Sequence, residues 1–394
     1  MNPQNRYELL CRELQADRLI DLAREKTGLS DIGDSSFRMP LAKLLDCAAR
    51  DINFNAQGLA IFKSEILRYL SNRLRMQEDL KCHPEILNED VSNPIIIIGL
   101  GRSGTTKLQK ILSLPDGVQK MWFWRLWNVA RFPGEQPGRP AARIAAADFS
   151  SLISEDKPDL DAAHHIAGQE VDEDWMLYFY TFEEWGWCAI EPVFSFFDWA
   201  MAHPSLDAYR YVKTMVQYLQ WQDGGKRGRP WVMKSVGHLA HMDSLAQCYP
   251  DAILIHPHRD PRETIPSWCK FLTSVWAIQS NPVDPHLLGK EILRQWSTAM
   301  DRYLDARQRL DLDGRILDVS YEQVRAEPMA IVGEVYRRAG VSLTVEEERS
   351  IAAWHDGNEQ GRFGRHEYTL AEFGLTEADI DKTFGKYIKR FIES

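Results

Sequence analysis

Apolar residues in the first part of the chain recur at the spacing of a helix face. Three such stretches precede residue 90, with polar residues between the apolar positions. A spacing of three to four residues places side chains on one side of an α-helix. The pattern predicts an N-terminal helical region, residues 1–90, packed on the core of the protein. Its apolar sets are Leu9, Leu10, Leu14 and Leu19; Leu41, Leu44, Leu45 and Ala48; and Ile61, Ile66, Leu67, Leu70 and Leu74.

The pattern changes after residue 90, where short apolar runs alternate with helical stretches. Residues 95–98 are four consecutive isoleucines, which is typical of a parallel strand buried on both faces. Similar runs at 231–233, 252–256 and 315–319 predict three more strands, separated by helical patterns. This alternation indicates an α/β fold, a P-loop-type parallel sheet flanked by helices. We expect the α/β domain to span residues 91–394.

Composition and charge narrow the class of protein. The chain has 47 Lys and Arg residues against 57 Asp and Glu residues, a net charge of −10. Nucleic acid is therefore not an expected partner, because its binders neutralise phosphates with surplus basic residues. The six cysteines form no C-x-x-C pair, which favours reduced thiols in a cytoplasmic protein. We expect no signal segment and no membrane span, because the N-terminus is charged and the apolar runs are short.

The strongest motif comes directly after the isoleucine run. Residues 94–108 read PIIIIGLGRSGTTKL, so a buried strand leads into a glycine loop and then a helical stretch. Main-chain N–H groups of such a loop and of the helix after it bind anions. Gly99 and Gly104 have Walker A spacing, but Thr105 replaces the Walker lysine and the positive charge lies inside the loop at Arg102. The motif predicts a site for a phosphate group shorter than a triphosphate, bound without a metal ion. The alternative is a glycine turn that binds nothing.

The segment GRSGTT after a buried strand resembles the 5′-phosphosulfate loop of sulfotransferases that use 3′-phosphoadenosine 5′-phosphosulfate (PAPS). The resemblance implies transfer of a sulfuryl group from PAPS to a hydroxyl or amine of a small molecule, with release of adenosine 3′,5′-bisphosphate. It also implies that the donor is bound by the loop residues Gly101, Arg102, Ser103, Gly104, Thr105 and Thr106.

A second signature of this family is an arginine at a strand end with a serine eight positions later, which together bind the 3′-phosphate of the nucleotide. Arg259 and Ser267 have this spacing after the predicted strand 252–256. Residues 361–375 resemble the family's C-terminal loop, which returns over the nucleotide, and Arg365 and Tyr368 are the matching residues. An isolated arginine is usually a solvated surface charge. The interpretation of Arg259 therefore depends on its motif following the glycine loop in the order expected for the family.

The resemblance implies catalytic groups as well. Lys234, after the predicted strand 231–233, would reach the sulfuryl oxygens, although a lysine that merely ends a strand fits the same pattern. Two candidates remain for the base that accepts the acceptor's proton: the acidic cluster 170–174, with Glu170 first, and His238. The acids also fit a solvated helix N-terminus, and His238 comes four residues after Lys234 where the family's histidine comes two residues after its lysine. Asp172 or Asp174 takes the role if neither candidate does.

Tryptophans are concentrated in the middle third of the chain and predict either an acceptor pocket or simple core packing. A pocket with carboxylates at its edge would suit an aromatic, lipophilic or cationic acceptor, and the sequence does not choose between these. Two other functions stay open: a P-loop kinase that uses ATP and Mg²⁺, and a sulfotransferase-like protein that binds the nucleotide without turnover.

Overall fold

Five strands form one parallel sheet in the computed structural model, which describes residues 3–136, 138–155, 167–203, 205–225, 228–358 and 368–393. Their order across the sheet is β2-β3-β1-β4-β5. The predicted strands are confirmed, and the two-residue strand β2 was missed because it has no apolar run. The strands are β1 (Ile95–Ile97), β2 (Gln119–Lys120), β3 (Trp231–Lys234), β4 (Ile253–His258) and β5 (Ile316–Ser320).

Strand β1 is buried on both faces, as the isoleucine run predicts. Ile96 belongs to the larger apolar core, together with Leu254 of β4. Ile95 and Ile97 belong to a second core, together with Val232 of β3. Successive side chains of a strand point to opposite faces, so β1 divides its isoleucines between the two layers. Helices therefore have to cover the sheet on both sides.

Helices cover both faces and make up the N-terminal region. The bounds in the first half of the chain are α1 (Pro3–Glu13), α2 (Ala16–Thr27), α3 (Arg38–Asp51), α4 (Gly58–Cys82), α5 (Thr105–Leu112), α6 (Phe123–Trp127), α7 (Ala141–Glu155), α8 (Trp175–Tyr178), α9 (Trp187–Ile190) and α10 (Phe194–Ala202). Those in the second half are α11 (Leu206–Gln222), α12 (Met242–Cys248), α13 (Pro261–Trp276), α14 (Pro285–Arg309), α15 (Tyr321–Ala326), α16 (Pro328–Ala339), α17 (Val345–Gly357) and α18 (Glu377–Phe391).

The N-terminal helices pack on the α/β core through the predicted apolar faces. Leu19 of α2, Leu44 of α3 and Leu70 of α4 are fully buried in the same apolar core as Trp187. The first residue of α4, Gly58, lies so close to Gln279 that a Cβ would stand 1.7 Å from its carbonyl oxygen. This contact ties α4 to the segment after α13. The division at residue 90 stays a prediction.

All six cysteines are free thiols. No helix of the described residues has the length and apolar character needed to cross a bilayer. The cytoplasmic location stays a prediction.

Two histidines of β4 link the sheet to helices α14 and α18. The Nδ1 atom of His256 lies 2.8 Å from the hydroxyl oxygen of Tyr303, and the Nδ1 atom of His258 lies 3.0 Å from that of Tyr387. The Nε2 atom of His258 lies 2.8 Å from a carboxylate oxygen of Asp318 on β5. Burial lowers the pKa of both imidazoles, which favours their neutral form. The tyrosines thus hold two buried rings in place next to the carboxyl end of β4.

Replacing Tyr387 with Phe tests this link. The change removes the hydroxyl and leaves the buried Nδ1 atom of His258 without that partner, so we expect the free energy of unfolding to fall by about 1–3 kcal/mol. Denaturant unfolding measures the loss. Tyr249→Phe is the matched control, because the buried Tyr249 hydroxyl has no hydrogen-bond partner among the described residues. Equal destabilisation by both changes would contradict the role given to the Tyr387 hydroxyl.

Candidate active site

The glycine loop lies between β1 and α5 at the carboxyl edge of the sheet. Gly99 and Gly104 have φ angles of 142° and 90°, and Gly104 immediately precedes α5. Arg102 has a φ of 70°, a left-handed conformation that costs a non-glycine residue about 1–3 kcal/mol. Ser103 is fully buried, and its hydroxyl donates to the Leu100 carbonyl oxygen over 2.7 Å. The Ser103 side chain therefore holds the turn of the loop.

Residues of the two predicted nucleotide motifs meet at this loop. The Nε atom of Arg102 donates to the hydroxyl oxygen of Ser267 over 3.2 Å. The Nη1 atom of Arg259 donates to the main-chain oxygen of Arg102 over 2.9 Å. The Arg259 guanidinium also pairs with Glu263 at 2.6 Å and lies 4.2 Å from the centre of the Tyr321 ring. The structure thus brings together residues separated by more than 150 positions along the chain.

Arg102 is partly buried in the loop and lies beside Arg259. Burial lowers its pKa, and the nearby charge of Arg259 acts in the same direction. The Tyr368 side chain interacts electrostatically with Arg102, and its predicted role in binding the nucleotide stays a prediction. The charges of Arg102 and Arg259 act on each other and create a local positive field in a protein of net charge −10. Arg365 falls in 359–367, outside the described residues.

Lys234 ends β3 beside the glycine loop. Its side chain is 1% exposed, and its Nζ atom donates to the Thr106 hydroxyl oxygen over 3.2 Å. The same ammonium group forms an ion pair with the Glu173 carboxylate. The sheet register explains the position, because Lys234 lies opposite Ile97 at the end of β1. A buried lysine, a threonine of the loop and a carboxylate therefore form one cluster.

A cavity of about 260 Å³ opens beside the loop and Lys234. Its wall is mostly apolar and aromatic, with a few acids, and two tryptophans of the predicted cluster, Trp127 and Trp175, belong to it. Other members, including Trp185 and Trp187, are core residues. The lining side chains include Ile61, Glu65, Tyr69, Arg102, Thr106, Trp127, Glu173, Phe179, Trp268, Phe271, Val275 and Gln279.

Of the two predicted base candidates, the acidic cluster 170–174 contributes Asp172 and Glu173 to the cavity wall, whereas its first residue, Glu170, and the alternative, His238, lie elsewhere. The Glu170 carboxylate forms an ion pair with Lys110 of α5 and is 39% exposed. His238 is buried, with its Nδ1 atom 2.7 Å from the Tyr209 hydroxyl oxygen and its Nε2 atom 3.3 Å from a carboxylate oxygen of Asp174. Neither side chain lines the cavity.

Glu173 is the acid that sequence reasoning did not single out. A bridge between Trp122 and Val171 aligns the acidic segment with the chain after β2. The Glu170 side chain then reaches Lys110, whereas the Glu173 side chain reaches Lys234. No sequence signal distinguishes Glu170 from Glu173, because their different positions depend on the bridge between Trp122 and Val171.

A group of possible metal ligands lies near β4 but is already engaged in protein contacts. Ligand atoms of His256, His258 and Asp318 lie within 4.8 Å of one another. Asp318 accepts two hydrogen bonds from the Arg307 guanidinium, at 2.7 and 2.6 Å. Both histidines use Nδ1 for tyrosine hydroxyls. The arginine supplies the positive charge that a metal ion would bring to this carboxylate.

Comparison with known proteins identifies the class. Residues 94–345 match the model of the sulfotransferase family. The crystal structure of sulfotransferase STF9 from Mycobacterium avium is similar, with a TM-score of 0.82 and 26% identity over 96% of this chain and 97% of that one. That of sulfotransferase STF1 from Mycobacterium tuberculosis has a TM-score of 0.81 and 24% identity over 94% and 98%. No curated protein sequence is significantly similar to the chain.

The fold and the matches define a group-transfer enzyme of the α/β class. The chain belongs to the sulfotransferase family, because the family match covers more than half of its length. This confirms the predicted resemblance and the predicted fold, including the helical N-terminal region. Its general reaction is the transfer of a sulfuryl group.

Gly101→Ala tests the packing of the loop against the cavity wall. A Cβ at residue 101 would stand 2.4 Å from the Trp268 ring, which itself packs on Trp296 with ring centres 5.7 Å apart. We expect a loss of about 1–3 kcal/mol in the free energy of unfolding, together with lower sulfuryl transfer. Gly333→Ala in α16 is the control, because no atom lies within 4 Å of its added Cβ and alanine favours helix. Unchanged stability and turnover in the residue 101 variant would contradict this packing.

Proposed function

We propose that this sulfotransferase takes its sulfuryl group from PAPS and transfers it to a small-molecule acceptor bound in the cavity. The observation that carries the proposal is the meeting of Arg102, Arg259 and Ser267 at the glycine loop. The first residue belongs to the motif expected to bind the 5′-phosphosulfate, and the other two belong to the motif expected to bind the 3′-phosphate. Their contact supports one nucleotide site rather than two separate anion sites.

Backbone and side-chain donors of the loop would hold the donor's anionic groups. The N–H groups at the start of α5 suit the 5′-phosphosulfate, since a helix N-terminus attracts negative charge. The guanidinium of Arg259 can hold the 3′-phosphate through two parallel hydrogen bonds, and the Ser267 hydroxyl can add a third. Two cationic side chains beside one another suit a ligand with two anionic groups.

The reaction is an attack of the acceptor oxygen on sulfur. A new S–O bond forms, the bond from sulfur to the bridging phosphate oxygen breaks, and adenosine 3′,5′-bisphosphate leaves with that electron pair. Negative charge on the leaving oxygen is stabilised by Lys234 and Arg102, and such electrostatic stabilisation is usually the largest catalytic contribution. Thr106 orients the Lys234 ammonium through their hydrogen bond.

Glu173 is our candidate for the base that takes the acceptor's proton. Its carboxylate lines the cavity and is paired with Lys234, so it lies where acceptor and donor would meet. Glu170, the first choice within the predicted acidic cluster, and His238 have side chains outside the cavity wall, whereas Asp172 of the same cluster also lines it.

Arg259→Ala tests the 3′-phosphate site. The lost charged hydrogen bonds should weaken binding of adenosine 3′,5′-bisphosphate by roughly 10- to 100-fold, whereas AMP, which has no 3′-phosphate, should bind almost unchanged. Calorimetry with both ligands gives the affinity ratio. Arg262→Ala is the control, since Arg262 pairs with Asp260 and Asp381 instead. Equal affinity of the unmodified protein for the two ligands would refute PAPS as the donor.

Glu173→Gln tests the base. Turnover should fall by about 10²-fold or more, because the amide cannot accept the proton, while binding of adenosine 3′,5′-bisphosphate should persist. Steady-state kinetics with PAPS and a phenol acceptor measure turnover, and calorimetry measures binding. Glu170→Gln is the matched control and should retain most activity. If turnover falls strongly in Glu170→Gln or in His238→Ala while Glu173→Gln stays active, the base is Glu170 or His238 instead.

A further inference from the structure

The cavity extends away from the loop along one face of α13. Trp268 packs against Gly101, and Phe271 lies near Arg102, whose Cζ atom is 5.9 Å from the ring centre. Val275 comes next on the same face, and a helix rise of about 1.5 Å per residue puts roughly 10 Å between Trp268 and Val275. The cavity therefore accommodates a molecule that reaches well beyond the reacting sulfur.

Two polar side chains line the part of the cavity remote from the loop, and a third lies buried beside them. The Nε2 atom of Gln279 donates to the Oε2 atom of Glu65 over 3.4 Å, and both residues line the cavity. Glu191 comes directly after the cavity-lining Ile190 and is fully buried beside Gln279. Among the described residues, neither carboxylate oxygen of Glu191 nor the Oε1 atom of Gln279 has a hydrogen bond of acceptable geometry. These three oxygen atoms can accept hydrogen bonds from the donor groups of a bound ligand.

The charges around these acceptors are unbalanced. The Glu65 carboxyl group faces the Arg68 guanidinium, and it also interacts with the Glu191 carboxyl group. The Arg68 Cζ atom lies 3.7 Å from the Trp127 ring centre and 4.1 Å from the Tyr69 ring centre. Burial raises the pKa of both carboxyls, and the proximity of Glu65 raises that of Glu191 further. A raised pKa favours the protonated carboxyl groups in the free protein, whereas a bound cation favours the carboxylates.

We propose that the acceptor is an elongated, mostly apolar amino alcohol, with its ammonium group at Glu65 and Gln279 and its hydroxyl group at the donor loop. This inference rests on the proposed function and adds the class of acceptor. An ammonium group donates three hydrogen bonds, which suits the Glu65 carboxylate and the Gln279 oxygen, while Glu191 contributes charge from behind. The Tyr69 and Phe179 rings line the same cavity and favour a cation.

The site selects which end of the acceptor reacts. An amine held as an ammonium ion has no lone pair for attack on sulfur. The hydroxyl, at the other end of the molecule, lies where Glu173 can accept its proton. The product is therefore an O-sulfate that keeps its positive charge.

The test compares amino-octanol with nonanol, which has a methyl group in place of the ammonium group. Calorimetry without a sulfuryl donor should give about 10- to 100-fold tighter binding of amino-octanol, from its charged hydrogen bonds. Binding of amino-octanol should release protons, because ammonium replaces the protons on the carboxyls. Its affinity should rise with pH until the amine deprotonates near pH 10. The groups facing Glu65 are Arg68 and Tyr69 on α4, with Glu191 and Gln279 from the segments after α9 and α13.

Two variants locate the effect. Glu65→Gln and Glu191→Gln should each reduce the affinity ratio of the two alcohols and the proton release. Glu183→Gln is the matched control: burial also raises the pKa of Glu183, to about 7, but its side chain does not line the cavity. Thermal unfolding establishes that each variant is folded.

The inference would be overturned if the unmodified protein bound both alcohols with equal affinity. It would also be overturned if neither Glu65→Gln nor Glu191→Gln changed the affinity ratio of the two alcohols. The inference is supported if the affinity ratio falls in Glu65→Gln or Glu191→Gln and is unchanged in Glu183→Gln. Because binding is measured without a donor, the ammonium preference can be present even if neither alcohol is sulfated from PAPS. That outcome would count against the proposed function alone.

Discussion

The parallel pairing of β1 between β3 and β4 fixes the positions of the basic groups in the candidate active site. The carboxyl ends of parallel strands meet at one edge of the sheet, where ligands bind in open α/β folds. Here β1 leads into the loop that carries Arg102, β3 ends at Lys234, and Arg259 comes directly after β4. The acidic composition of the whole chain does not prevent an anion site, because the register brings these cations together locally.

The sequence predicts the part of the molecule that is governed by local patterns. Isoleucines 95–98 predict a strand buried on both faces because side chains alternate at a period of two, and the helical spacing of leucines predicts the N-terminal helices. The resemblance to the family's second motif implies a joint site of Arg259 and Ser267, and both residues contact Arg102. Strand β2 escapes prediction, because a two-residue strand depends on pairing with β3 rather than on its own residues.

The acids of the site could not be ranked from the sequence. Glu170 and Glu173 are three residues apart in one acidic run, and which of them faces the cavity depends on the bridge at Val171 and on the ion pair with Lys110. Tertiary contacts likewise determine whether a tryptophan lines the cavity, as Trp127 does, or lies in the core, as Trp187 does. Composition predicts that aromatic rings gather, but only the fold determines which rings a ligand can touch.

The hydrogen bond between Tyr387 and His258 of β4 extends the candidate site's supporting contacts beyond the stretch by which the family is recognised. That stretch ends at residue 345, whereas Tyr387 and the Phe391 ring, stacked on His258 with centres 4.2 Å apart, belong to α18. A fragment trimmed to the recognised stretch would expose His258 to water, one residue before Arg259. Proteolytic trimming of the carboxyl terminus would therefore act on the Arg259 side of the candidate site, although no residue of α18 belongs to the cavity.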